Sequence, residues 1–343
     1  MCARCFSVLT VPAPCALAGA ALALRVSAGA VYTTQALQQQ RTNSLRPRSA
    51  SLPTSRRAAA AMPVLAAGAS MQMQGAGKAV VITGAAGGVG YAYADKFLEQ
   101  GMKVVICDIS PKITAAEAAL KAKHPGAQVW GVICDVSDKN SVEKLANFAK
   151  EKCQTVHYWI NNAGINGGRV EFMEVPVEQV EAVVKVNLLG ALLCTQYAMK
   201  LLSQQDGVTS HIFNTVGSGV KGGGTPGYVS YGATKRGQPQ MTKSLADELT
   251  KGVQGYPKKK YPGDVRVHTL SPGMVFTQLL LDQSTPELRK FPFGVLAAQP
   301  EEVAEDLVPK ILATSGQGAC MNACEREGER ERERERKRKR ERD

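Results

Sequence analysis

Tyr231 and Lys235 stand four residues apart in the run Tyr228-Val-Ser-Tyr-Gly-Ala-Thr-Lys235. On a helix that spacing sets a phenol and an ammonium on one face. A phenol is a weak acid, with a reference pKa of about 10, and a neighbouring cation favours its phenolate. The pair is suited to giving a proton to an oxygen that gains negative charge, as a carbonyl oxygen does when its carbon is reduced. Tyr228 has Gly232 at the same offset and so lacks such a partner. A Tyr-x-x-x-Lys pair on a solvated helix does no chemistry, so the assignment turns on the elements around it.

The first of these is Ala79-Val-Val-Ile-Thr83, an apolar run that leads into Thr83-Gly-Ala-Ala-Gly-Gly-Val-Gly90. Backbone comes close to a phosphate only where no Cβ intervenes, and a helix start then offers free amides and a positive dipole end. A strand, a glycine turn and a helix are expected here, with Thr83, Gly84, Gly87, Gly88, Val89 and Gly90 around a dinucleotide pyrophosphate. The spacing differs from the Gly-x-Gly-x-x-Gly of longer dehydrogenases. A second strand, Lys103-Val-Val-Ile-Cys-Asp108, ends on an acid 18 residues past Gly90. Such an acid bonds a ribose 2′-hydroxyl and repels a 2′-phosphate. Ala85 and Ala86 bring no cation to the turn, leaving Lys112 as the nearby one, so NAD(H) is expected over NADP(H).

Strand and helix then alternate. Gln128–Cys134 reads as a third strand ending at Asp135 and Val136, and Val142, Leu145, Phe148 and Ala149 mark a helix. His157–Ile160 is a fourth strand, followed by Asn161-Asn162-Ala163-Gly164. A long amphipathic helix runs from Val177 to Leu202 and carries Asn187, whose amide needs a partner: either a satisfied core group or a link in a proton relay. His211–Asn214 and Val265–Leu270 complete six strands, the last running into Ser271-Pro272-Gly273-Met274-Val275-Phe276-Thr277. The expectation is a single Rossmann-type, doubly wound parallel α/β sheet over residues 78–316, with helices on both faces and ligand at the carboxyl ends of the strands. Leu279 to Pro300 reads as a lid.

The ends differ in composition. Residues 1–77 hold seven arginines, no lysine and no acid, as an organelle transit peptide does. A plastid address is expected, with a mitochondrial one, or a secretory h-region at Ala16–Leu24, as competitors. That patch is too short to span a bilayer, which takes about 20 apolar residues. With no spanning segment foreseen, membrane contact is expected to be at most peripheral. Residues 317–343 end in an Arg-Glu alternation that cannot bury a core, so a disordered or isolated-helix tail is expected there, with the last strand of the sheet missing or degraded. Of the net charge of +12, only about +3 falls in residues 78–324, which excludes an electrostatic case for nucleic acid. Nine scattered cysteines form no metal spacing and no disulfide framework, no metal site is expected, and the four histidines receive no role.

Taken in order, Thr83-Gly-x-x-x-Gly-x-Gly90, Asp135-Val136, Asn161-Asn-Ala-Gly164, Asn187, Ser218, Tyr231-x-x-x-Lys235 and Pro272-Gly-x-x-x-Thr277 resemble the short-chain dehydrogenase/reductase family. The resemblance implies Tyr231 as proton donor, Lys235 as its pKa partner and ribose ligand, Ser218 on the carbonyl oxygen and Asn187 on a relay water. It also implies Asp135 and Val136 at the adenine, Asn162, Ala163 and Gly164 along the cofactor, and Pro272, Gly273, Val275 and Thr277 near the nicotinamide. Ser218 lies thirteen before Tyr231, as the pattern expects, whereas counting forward from Asn214 puts Gly217 in that place.

Within the family, Val142-Glu-Lys-Leu-Ala-Asn-Phe-Ala149, Trp159–Gly164, Val267–Val275 and Leu279-Leu-Leu-Asp-Gln-Ser-Thr285 are similar to the chlorophyll b reductases of plants and algae. That likeness implies reduction of the 7-formyl group of chlorophyll b or chlorophyllide b in the chloroplast, at the stroma or thylakoid surface. It further implies light-harvesting antenna proteins and a related reductase as partners, and a homo-oligomer. Members of the group carry basic residues where this chain has Ala85-Ala86 and Asp108-Ile109, which implies NADP(H) for them. Two alternatives stand beside this: another plastid carbonyl or 3-oxoacyl carrier-protein reductase, and a non-catalytic partner of a related reductase.

Overall fold

The computed structural model describes residues 75–220, 222–281, 284, 286, 289 and 297–323. The expected leader, most of the expected lid and the Arg-Glu run lie outside the described residues.

Seven parallel strands form one sheet in the order β3-β2-β1-β4-β5-β6-β7: β1 Ala79–Thr83, β2 Lys103–Asp108, β3 Val129–Ile133, β4 Tyr158–Asn161, β5 Thr209–Thr215, β6 Asp264–Ser271 and β7 Cys320–Asn322. The helices are α1 Gly88–Glu99, α2 Ile113–Lys123, α3 Lys139–Cys153, α4 Val177–Val184, α5 Ala191–Leu202, α6 Val229–Lys251, α7 Gln278–Leu281 and α8 Pro300–Leu312. Each β1 residue is buried, and the side chains alternate between two apolar clusters. Val80 and Ile82 meet Tyr93 and Phe97 of α1 and Leu307 and Ile311 of α8. Ala79 and Val81 share the other cluster with Leu145 of α3 and Ala198 and Leu202 of α5. A strand covered on both faces must be apolar at every position, which is why β1 and β2 read as continuous runs. Burying each Val or Ile is worth about 1.5–3 kcal/mol. The reversal of strand order between β1 and β4 opens the crevice at the strand tips that holds the residues of interest.

Just before β1, Lys78 N–H bonds Gly75 O at 2.9 Å. One expectation is corrected here: the sheet continues past 316, where Cys320–Asn322 pairs with β6, Thr269 opposite Cys320 and Ser271 opposite Asn322, so the last strand is present although short. Main-chain bonds form whatever the side chains are, and side chains then hold the segment. Lys310 Nζ bonds Asn322 O at 3.0 Å and Asp306 at 3.1 Å, and Gln317 Oε1 accepts from Val267 N–H at 2.9 Å. The helical run Val177–Leu202, 26 residues, is long and apolar enough by length and composition to cross a membrane, a test that the core helix of a folded domain also passes. In the fold Val183, Cys194, Ala198 and Leu202 are buried, while Val184, Leu189 and Leu192 are exposed.

Two histidines without an expected role occupy the sheet interior. His211 Nδ1 and His268 Nε2 lie 3.0 Å apart, and His268 Nδ1 accepts from Ala319 N–H at 3.2 Å just before β7. Their rings stack with each other and with Tyr158 and Phe213. Burial lowers His211 to about 4 and His268 to about 3. Both native values lie below the unfolded value of about 6.5, so between them the unfolded chain binds protons that the native chain refuses. Stability is therefore whole above about pH 6.5 and declines as pH falls toward 4. Thermal midpoints taken from pH 7 to pH 4.5 should fall steadily, and the His268→Asn variant should show a shallower slope.

Candidate active site

The glycine turn is shaped by contact with the end of β4. Gly84 has φ of +66°, and a Cβ built on it would lie 2.7 Å from the Cα of Ala163. Thr83 Oγ1 accepts from the amides of Asn162 and Ala163, each at 3.0 Å. Asn162 Nδ2 donates to Thr83 O at 3.1 Å and Gly84 O at 3.0 Å, so this carboxamide shapes the turn from within. A Cβ on Gly90 would collide with the turn, and Gly88, φ +56°, would meet Thr277 at 3.1 Å. A Cβ built on Gly87 would meet nothing within 4 Å, and α1 has no side-chain cap. An uncapped helix start beside open space and a Cβ-free backbone fits a dinucleotide pyrophosphate. Val89, in the first turn of α1, is buried in the core beneath.

Asp108 ends β2 across this turn. Its Oδ2 accepts from Ala86 N–H at 3.1 Å and its Oδ1 from Ser110 N–H at 2.9 Å. The carboxylate is thus fixed at the edge of the cradle, where a ribose would lie. Asp135 is engaged locally: Oδ1 accepts from Ser137 N–H at 2.8 Å and from its hydroxyl at 2.7 Å. Val136 is buried and faces Gly190, where a Cβ would lie 2.9 Å from it. On the opposite side Gly273 has φ of +75°, Thr277 Oγ1 bonds Val275 O at 3.4 Å, and Val275 bridges to Ala298. Pro272, Gly273, Val275 and Thr277 therefore follow β6 onto the start of α1.

Tyr231 and Lys235 sit in the first two turns of α6 with Lys235 Nζ 5.8 Å from the centroid of the Tyr231 ring. The ammonium donates to Thr215 O at the tip of β5 at 3.0 Å. A Cβ built on Gly164 would lie 3.4 Å from Lys235 Nζ and 3.2 Å from Asn187 Oδ1, so these two polar atoms converge on Gly164. Between α4 and α5 the helix widens into a π turn, Lys185–Gly190, centred on Asn187. Asn187 Oδ1 accepts from Ile165 N–H at 2.8 Å, and its Nδ2 donates to Ile165 O at 2.7 Å and Thr234 Oγ1 at 3.3 Å. It ties the loop after β4 to α6.

The charge state differs from the sequence expectation. Burial pushes the Tyr231 phenol up to about 12 and brings the Lys235 ammonium down to about 8. An ammonium at this distance does not offset the loss of water around the phenol, because desolvation disfavours both charged forms. Ser218 is exposed on the loop after β5, while a Cβ on the preceding Gly217 would overlap the Tyr231 hydroxyl. Gly217, not Ser218, is thus the residue beneath the phenol in this structure.

One buried network was missed. Asn161 Nδ2 donates to Asn214 Oδ1 at 2.8 Å and Thr195 Oγ1 at 2.9 Å, its Oδ1 accepts from Trp159 Nε1 at 2.8 Å, and Asn214 reaches Thr242 at 3.3 Å. It joins β4, β5, α5 and α6 beneath the site. An Asn closing each of two adjacent strands was the available signal.

Comparison with known proteins now decides the family. The short chain dehydrogenase family model matches residues 78–287. The chain belongs to that family, whose members are NAD(P)-dependent oxidoreductases. It is 41% identical over 243 residues to the chloroplastic chlorophyll(ide) b reductase NOL of Arabidopsis thaliana, covering 70% of this chain and 67% of that one. With the protein of the same name from Oryza sativa subsp. japonica it is 39% identical over 236 residues, covering 68% and 66%. The chain thus spans about two thirds of the length of these relatives. The fold is similar to that of levodione reductase, with a TM-score of 0.61 and 23% identity over 73% of this chain and 98% of that one.

The contact at Gly217 is directly testable. Gly217→Ala should displace the Tyr231 hydroxyl and cut cofactor-dependent carbonyl reduction by about ten-fold or more, the scale of one misplaced general acid, while the dinucleotide binds as before. Titration of bound NADH by fluorescence beside steady-state rates separates the two effects.

Proposed function

We propose that this chain is a chloroplast chlorophyll(ide) b reductase that reduces the 7-formyl group of chlorophyll b or chlorophyllide b to 7-hydroxymethyl, using NADH in preference to NADPH. The observation that carries the reading is the buried Tyr231–Lys235 pair at the carboxyl ends of β4 and β5, beside a glycine cradle suited to a dinucleotide. The named relatives at 39–41% identity support the substrate, and the acid-free leader together with their chloroplastic names supports the location.

At the start of α6 a shallow open depression is lined by Val170, Phe172, Val175, Val183, Tyr228 and Val229, with Asn166, Gln179 and Ser230 among them. Val170, Phe172 and Val229 are 41–50% exposed. A dinucleotide held by the Gly84–Gly90 cradle would supply the hydride to the formyl carbon. Tyr231 gives its proton to the oxygen, which gains the C=O π pair as the carbon is reduced. Lys235 then returns a proton to the phenolate, with Asn187 holding the loop and helix around it. Asp108 accepts from a ribose 2′-hydroxyl, and its charge opposes a 2′-phosphate. Membrane contact would be peripheral, and a homo-oligomer, antenna proteins and a related reductase are the partners this reading implies.

Three results test it. Chlorophyll b incubated with the protein and each cofactor should show the absorption shift of formyl reduction, and Tyr231→Phe should abolish it while NADH still binds; near-normal turnover in that variant would end the assignment. Because Lys235 carries its proton only below about 8, kcat for reduction should fall as pH rises through that value. The kcat/KM for NADH should exceed that for NADPH, and Asp108→Asn should narrow the gap by about ten-fold or more by removing the opposed charge.

A further inference from the structure

Among the described residues, three buried side-chain atoms have no hydrogen-bond partner: the Tyr93 hydroxyl, Thr215 Oγ1 and Gln238 Oε1. Tyr93 belongs to the core between α1 and α8. The other two belong to residues that already hold the site. Thr215 takes Lys235 Nζ on its carbonyl, and Gln238 Nε2 donates to the main-chain carbonyl of Asn187 at 2.7 Å. Gln238 is 1% exposed and lies three residues beyond Lys235 and seven beyond Tyr231, on the same face of α6. A π turn puts the helical ladder out of step, and the Gln238 amide supplies a donor where the turn carries Asn187. The next residue, Pro239, has no N–H for the carbonyl of Lys235, so α6 is loosened at this point.

Each reduction draws one proton through Tyr231, and that proton must come from solvent to a lysine that is 5% exposed. Buried polar oxygens without a protein donor are where ordered water is held. Here one such oxygen belongs to Thr215, whose carbonyl takes the lysine, and the other to Gln238, whose amide holds Asn187. We propose that Gln238 is a positioning residue for proton supply: its amide nitrogen holds the π turn and Asn187 in place, while its oxygen, with Thr215 Oγ1, orders the water that recharges Lys235. The proton passes from solvent to the lysine and no electrons move. This rests on the assignment of Tyr231 and Lys235 to the chemistry.

The test uses the full chain with chlorophyll b and NADH, comparing Gln238→Met, which keeps length but neither polar atom, and Thr215→Val, which removes only a hydroxyl. The expected result is an NADH Kd within about two-fold of the parent, a kcat about ten-fold lower for Gln238→Met, and a raised solvent deuterium isotope effect on kcat in both. If Gln238→Met does not fold, Thr215→Val carries the test alone, since Lys235 keeps its carbonyl partner. A kcat within about two-fold and an unchanged isotope effect would overturn the inference, as would a loss of kcat that only follows a loss of NADH binding. Tyr231→Phe is measured alongside. If it is inactive while the other two variants behave as the parent, only the role of Gln238 fails; if it is active, the assignment of the site fails and this inference with it.

Discussion

A lysine ammonium taken out of water is the constraint on which the site depends. Lys235 is 5% exposed, its Nζ rests on the carbonyl of Thr215, and burial brings it down to about 8. A charge in such a place is tolerated only where rigid dipoles replace its hydration, and the surrounding chain is arranged to supply them. The tip of β5 offers a carbonyl, and Gly164 leaves room where any side chain would intrude on Lys235 and Asn187. The π turn brings Asn187 to the loop after β4. Burial thus brings the lysine closer to neutrality while it reduces the acidity of the Tyr231 phenol.

These dipoles are rigid because of what lies below them. The sheet is apolar on both faces, and its two clusters lock β1, β4 and β5 against α1, α5 and α8. Within that interior the Asn161–Asn214–Thr195 network fixes the strand ends to one another, so that a loop leaving β4 and a helix following β5 keep a constant separation. The histidine pair on β5 and β6 plays the corresponding part further down the sheet, where His268 also meets the amide that precedes β7. Two polar groups inside a sheet are acceptable here because each satisfies the other in its neutral form.

The glycine turn and the Tyr231–Lys235 pair are built by different means. The turn is made of backbone, with no Cβ at Gly84, Gly88 or Gly90. The pair is made of long side chains whose positions depend on packing from several elements. The Gly217 contact joins the two kinds, since a backbone position without a Cβ is what lets the phenol settle against β5.

The sequence by itself determined the fold class, six of the seven strands, the glycine turn with Asp108 across from it, and the placing of Tyr231 and Lys235 on one helix and of Asn187 within another. Those rest on local rules: periodicity, turn chemistry and spacing along one helix. The tertiary structure alone decided what depends on distant contacts. β7 forms because main-chain pairing ignores its atypical side chains, which composition had marked as tail. Gly217 rather than Ser218 lies under the phenol because the path of the loop after β5, not the residue count, sets which Cα comes near. The contact of Gln238 was unreadable because its partner is the main-chain carbonyl of Asn187 in the π turn, which leaves no mark on residue type. The acidity of Tyr231 could not be read from its neighbour, because solvent exclusion by the whole fold outweighs one charge 5.8 Å from the ring centre.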